Sequence, residues 1–254
     1  MIQIEVCVDN IESLHTAQKC GASRIELCGA LALGGITPNY GLIESAVAVA
    51  QIPLYVMIRP RAGDFLFSAD EVRIMQSDIR LAKKCGAQGV VIGALTATAE
   101  IDLAACRRLL DAADGLGVTF HRAFDLCRDP QTALEQIIEL GCERLLTSGQ
   151  QQSAVQGAEL IRQLVQQADN RISIMPGAGV NAANARALIE TTGASEIHLS
   201  AGGYRHSAML ANESPSMGKD SRQDQQINIT DGKKLRAVLA EIRDESALPY
   251  SGRN

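Results

Sequence analysis

Four copies of one short pattern constrain this chain more than anything else in it: Gly21-Ala22-Ser23-Arg24-Ile25, Gly86-Ala87-Gln88-Gly89-Val90, Gly141-Cys142-Glu143-Arg144-Leu145 and Gly193-Ala194-Ser195-Glu196-Ile197. Each glycine falls where a helical stretch must stop in a left-handed residue before a strand begins. Strand-like apolar segments begin near Ile2, Arg24, Leu54, Gly89, Val118, Arg144, Ile172 and Glu196, with stretches of helical period between them, and the pattern marks every second one. Successive copies are thus about two βα units apart. Eight such units in 254 residues predict an α/β fold, a (β/α)8 TIM barrel in a single domain over 1–254, rather than an open doubly wound sheet, which usually has fewer strands.

Composition agrees: with 46% hydrophobic but only 3% aromatic residues, the interior must be filled by aliphatic side chains, as parallel sheets usually are. Helix starts are signalled by Asp9 with Glu12 and by Ser68 with Glu71 at capping-box spacing, and by Asp129 before Pro130. The stretch at about 201–229 has no periodicity and contains Gly202-Gly203 and Asn212-Glu213-Ser214-Pro215. It predicts a long irregular loop before a final helix over 233–243.

A net charge of −5 with no basic cluster argues against nucleic-acid binding. No charged and apolar leader opens the chain, and no apolar run approaches a membrane span, so a soluble, cytoplasmic protein is expected. Seven cysteines without Cys-x-x-Cys spacing are not a disulfide framework.

Alternation along each strand sorts the side chains into two faces. With the apolar alternates against the helices, the inward set is Glu5, Cys7 and Asp9; Arg24, Glu26 and Cys28; Tyr55, Met57 and Arg59; Thr119 and His121; Ser173 and Met175; Glu196, His198 and Ser200. The fourth and sixth strands are ambiguous in phase. Buried charges need partners, so Glu5, Glu26 and Glu196 are expected to meet Arg24, Arg59 or a ligand. Barrels of this kind place function at the C-terminal ends of their strands. There, Glu26, Arg59 and His121 are candidate catalytic groups, with Glu26 or His121 moving a proton if the protein is an enzyme. Arg61, Ser148, Gly177, Gly179, Ser200 and Gly202 are candidate anion-binding positions, the glycine-rich turns after strands seven and eight being able to aim backbone amides at an anion.

IELCGALALGGITPN, VMIRPRAGDF, VTFHRAFDLCRDP, LLTSGQ, IMPGAGV and EIHLSA follow one another in the order found in the copper homeostasis protein CutC family, which the chain resembles from residue 2 to about 201. The resemblance implies a TIM barrel, a cytoplasmic protein, a homo-oligomer with a dimer favoured, and a link to intracellular copper. On that expectation Cys7 and Cys28, at the mouths of adjacent strands about 4.8 Å apart, are candidate Cu(I) ligands, since soft thiolates favour that ion. The alternative is a barrel enzyme acting on a small anionic or phosphorylated metabolite by acid–base chemistry; a scaffold that only binds a protein partner suits the crowded polar interior least.

Overall fold

The computed structural model describes residues 2–209 and 225–243. Eight parallel strands alternate with helices, in the order β1 (Gln3–Val8), α1 (Ile11–Cys20), β2 (Arg24–Leu27), α2 (Tyr40–Val49), β3 (Leu54–Met57), α3 (Ala69–Cys85), β4 (Gly89–Ile92) and α4 (Leu103–Ala113). They continue as β5 (Gly117–Phe120), α5 (Pro130–Glu139), β6 (Arg144–Thr147), α6 (Ala158–Ala168), β7 (Ser173–Pro176), α7 (Ala185–Thr192) and β8 (Glu196–Leu199). The sheet runs β7-β6-β5-β4-β3-β2-β1-β8. This is a nearly closed (β/α)8 TIM barrel: among the described residues no ladder joins β7 to β8, and Pro176 at the end of β7 has no N–H to offer.

The repeat marks what it predicts. Gly21, Gly86, Gly141 and Gly193 all have positive φ, between 73° and 99°, and the strands they precede are β2, β4, β6 and β8. Ser68 and Glu71 form the reciprocal capping box of α3, and Asp129 caps α5 ahead of Pro130. Asp9, by contrast, is not a cap. Asn10 caps α1, accepting from Ser13 N at 2.8 Å, which leaves Asp9 to accept from Leu31 N across the barrel mouth.

The stretch expected to be irregular is partly a hairpin. β9 (Gly202–His206) pairs antiparallel with β10 (Gln226–Thr230), and 210–224 lie outside the described residues. Both strands are largely exposed, so neither carries the buried alternation that reveals a strand in sequence. Contacts with α1 hold the hairpin down: Thr230 N donates to Ser13 Oγ at 2.9 Å, and Arg205 pairs with Glu12 at 2.9 Å. Asp231 N then returns to Ala201 O, and α8 (Gly232–Arg243) completes the helical ring where a final helix is expected.

The main apolar core lies between strands and helices, built from Ile4, Ile25, Leu54, Val90, Phe120, Leu145 and their neighbours. Inside the barrel are a small apolar cluster of Cys28, Tyr55, Met57 and Val91 and two polar layers, which Glu5 and His198 join. No helix among the described residues is long and apolar enough to cross a membrane.

Candidate functional site

The lower polar layer is a closed ion-pair network. Register places Glu5 beside both Arg24 of β2 and His198 of β8. Arg24 pairs with Glu5 and with Glu196, and Arg144 pairs with Glu196 at 2.8 Å while donating to Thr119 Oγ1 at 3.2 Å. Tyr55 lies between the two guanidiniums, at 5.4 and 5.3 Å, and its hydroxyl donates to Glu143 at 2.9 Å. Burial would raise the Glu5 carboxyl, but His198 and Arg24 outweigh it and hold it down at about 2. The expected pairing of Glu5 and Glu196 with Arg24 is present. Arg144, from a strand whose phase the sequence leaves open, is the second cation, and Arg59 takes no part.

Above this layer three potential ligand atoms converge. Cys7 Sγ, a Glu26 carboxylate oxygen and a His198 ring nitrogen all lie within 4.8 Å of one another, and all three residues are buried. His198 is oriented from below: its Nδ1 is 2.8 Å from Glu5 Oε1, which turns Nε2 toward Glu26 Oε2 at 3.8 Å. Burial disfavours the charged ring, yet Cys7, Glu26 and Glu5 raise its pKa well above the ordinary value. Cys28 sits just outside the trio and donates from Sγ to Glu26 Oε2 at 3.4 Å. Burial, with Glu26 and Cys7 adding to it, pushes the Cys28 thiol well up. The Glu26 carboxyl is pushed up to about 7, chiefly by burial; His198 opposes the shift and Glu5 adds to it. Its Oε1 is buried with no hydrogen-bond partner. The sequence places His198 inward at the end of β8, but its convergence on Cys7 follows from β8 pairing with β1.

The trio opens into a cavity of about 790 Å³ whose wall includes Arg59, Phe65, His121, Leu146, Ser200 and Lys234. His121 is buried at 3% exposure, and Nδ1 accepts from Ala123 N at 3.2 Å. Burial and then the nearby Arg59 charge lower its pKa to about 3, so the ring is neutral near pH 7. A side chain at Gly93 would strike the His121 ring, so the bare glycine just after β4 makes its position possible. Arg59 donates to the carbonyl oxygens of Leu33 (3.4 Å), Gly35 (3.2 Å) and Gly63 (2.6 Å).

Of the positions read as anion-binding, Gly179, Ser200 and Gly202 line the cavity, and Arg61, Ser148 and Gly177 lie outside its wall. Arg61 is held by Glu71 at 2.5 Å and Asp64 at 2.9 Å, and the Ser148 hydroxyl is engaged with Arg122 and Asp125 at 2.8 Å each. Gly177 N donates to Thr147 O and Gly202 N to Ser200 Oγ. Ala178 and Ala201, at φ 77° and 46°, hold left-handed conformations that a side chain disfavours, both in loops at the cavity.

Fold and site together define a TIM-barrel protein with a buried sulfur–imidazole–carboxylate constellation at the C-terminal ends of its strands. The CutC family model matches residues 2–203, and the chain belongs to that family. A CutC protein of Pasteurella multocida (strain Pm70) is 62% identical over 241 residues, 95% of this chain and 99% of that one. One of Histophilus somni (strain 2336) is 57% identical over 237 residues, 93% and 98%. The crystal structure of a CutC protein from Streptococcus agalactiae, named for copper homeostasis, superposes with a TM-score of 0.75 at 38% identity, over 78% of this chain and 98% of that one. Phosphoribosylanthranilate isomerase from Thermotoga maritima, at 11% identity and a TM-score of 0.56, shares the fold alone.

Proposed function

We propose that the barrel mouth binds Cu(I), with Cys7 and His198 as primary donors, Glu26 beside them, and Cys28 as a second sulfur in reserve. The carrying observation is the presentation of His198. A carboxylate on Nδ1 fixes the ring so that Nε2 faces Cys7 and Glu26, the arrangement by which second-shell carboxylates set metal-binding histidines. Thiolate and imidazole are the donors this ion favours, and the relative named for copper homeostasis shares the family and the fold. From the family we also carry over a cytoplasmic, dimeric protein, which fractionation and sedimentation test.

The test is a Cu(I) titration of the reduced full chain against a competing chelator. Cys7→Ser and His198→Gln should each lower affinity by about 10- to 100-fold, with Cys28→Ser lowering it less. Unchanged affinity in Cys7→Ser and His198→Gln sinks the proposal.

A second reading is favoured by the cavity. An ion needs no space of about 790 Å³, whereas this volume suits a small molecule. The unpartnered Glu26 Oε1 and the neutral His121 facing that space support an enzyme that moves a proton on a small anionic metabolite. Turnover of a metabolite pool by the metal-free protein, lost in Glu26→Gln, is the expected result; no turnover in the wild type removes this reading.

A further inference from the structure

Arg59 is a buried cation without a counter-charge. It is 7% exposed, and among the described residues no carboxylate pairs with it. Its terminal nitrogens are taken by backbone carbonyls, while Nε is buried and has no partner. Carbonyl dipoles alone compensate a buried guanidinium poorly. A second unpartnered donor lies in the same wall. Because His121 Nδ1 accepts from Ala123 N, the neutral ring carries its hydrogen on Nε2, and that atom is buried without a partner. Both groups pack on one ring: the Arg59 guanidinium is 4.7 Å from the Phe65 centroid and the His121 ring 4.9 Å.

We infer that the cavity binds the carboxylate of a small organic acid, with Arg59 Nε–H and His121 Nε2–H meeting its two oxygens beside the Phe65 ring. Two single donors, one of them cationic, match a planar two-oxygen anion of charge −1. A phosphate brings three terminal oxygens and up to two charges, more than these two donors match, and the other cations of the wall already have a partner. Lys234 Nζ donates to Gly202 O at 2.6 Å, and Arg122 is held by Asp125 at 2.7 Å. Met57, Leu146, Val180 and Leu199 give the rest of the space an apolar lining, so the acid carries a short, largely apolar body. The inference deepens the enzyme reading by naming its substrate class, but it concerns binding and does not require turnover.

The test uses metal-free full chain titrated with pyruvate, with its uncharged amide, and with inorganic phosphate, followed by calorimetry and by the 15N signals of the Arg59 and His121 side chains. Pyruvate should shift both signals saturably, and the amide and phosphate should bind at least about tenfold more weakly. Charge-assisted bonds predict a loss of about 10- to 100-fold in Arg59→Gln and about tenfold in His121→Leu. The wild-type signals decide the matter even if a variant fails to fold. Phosphate binding more tightly than pyruvate, equal affinity for the amide, shifts confined to other residues, or no saturable shift with pyruvate, acetate or benzoate would each overturn it. Binding without turnover of any acid upholds this site while removing the enzyme reading.

Discussion

The two polar layers inside the barrel differ in how completely they are satisfied. In the lower one the charged groups Glu5, Arg24, Glu196 and Arg144 form a continuous set of ion pairs, closed over by Tyr55, and only the uncharged Ser173 Oγ beside them is buried without a partner among the described residues. In the upper one Glu26 Oε1, Arg59 Nε and His121 Nε2 are all buried and all without partners. Both layers are polar and both are hidden from bulk water, so burial alone does not separate structure from function. Completeness does. A satisfied buried network rigidifies the fold, whereas unsatisfied groups on residues that line one cavity leave a role for a ligand.

The sharpest way to break this contrast is Arg24→Met, which leaves Glu5 only His198 and Glu196 only Arg144 as cationic partners. It should cost about 3–5 kcal/mol of unfolding free energy, measured by denaturant titration, while Arg59→Gln should cost well under half as much. Equal costs would mean that the two layers do not differ as described. The next effect is in pH. His121 has a folded-state pKa of about 3 against 6.5 for the free side chain. The unfolded chain therefore binds the extra proton between those values. The associated stability is fully present above pH 6.5 and is lost as pH falls toward 3, on the order of 4–5 kcal/mol. Comparing His121→Leu with the wild type across that window isolates the contribution, because Glu26 and Glu5, which titrate partly within it, are present in both proteins.

Smaller again, Gly93→Ala should displace the His121 ring and cost about 2 kcal/mol through overpacking. Denaturant titration together with loss of the His121 side-chain NMR position checks it. The smallest expected change links the layers. Glu5→Gln keeps the shape of the lower network but weakens its hold on His198 Nδ1, and Cu(I) affinity should fall about tenfold. A fall as large as in His198→Gln would show that Glu5 does more than orient the ring.

Much of this was legible before any coordinates. The starts of all eight strands, the cap glycines and the inward phase of β1, β2, β3, β5, β7 and β8 follow from alternation and turn chemistry. The phase of β4 and β6 does not: β4 is apolar throughout, and the polar ends of β6, Arg144 and Thr147, three residues apart, fall on opposite faces. Arg144 thereby escaped the list of inward charges. Asp9 reads as the α1 cap in sequence, but its neighbour Asn10 offers the same chemistry one residue later and takes the position. The hairpin escaped because its strands are exposed and their pairing joins segments far apart in the chain.

The sequence by itself determined which side chains of six of the eight strands enter the barrel and at which end they cluster, since a strand's period of two is a local property. Only the tertiary structure decided which of them meet. Cys7 and Glu26 are register partners, but His198 joins them because β8 pairs with β1 from the opposite end of the chain. Cys28, two residues beyond Glu26, points at that carboxylate from outside the trio. Which groups stand at one height in a barrel depends on register and strand tilt, and no stretch of sequence carries those alone.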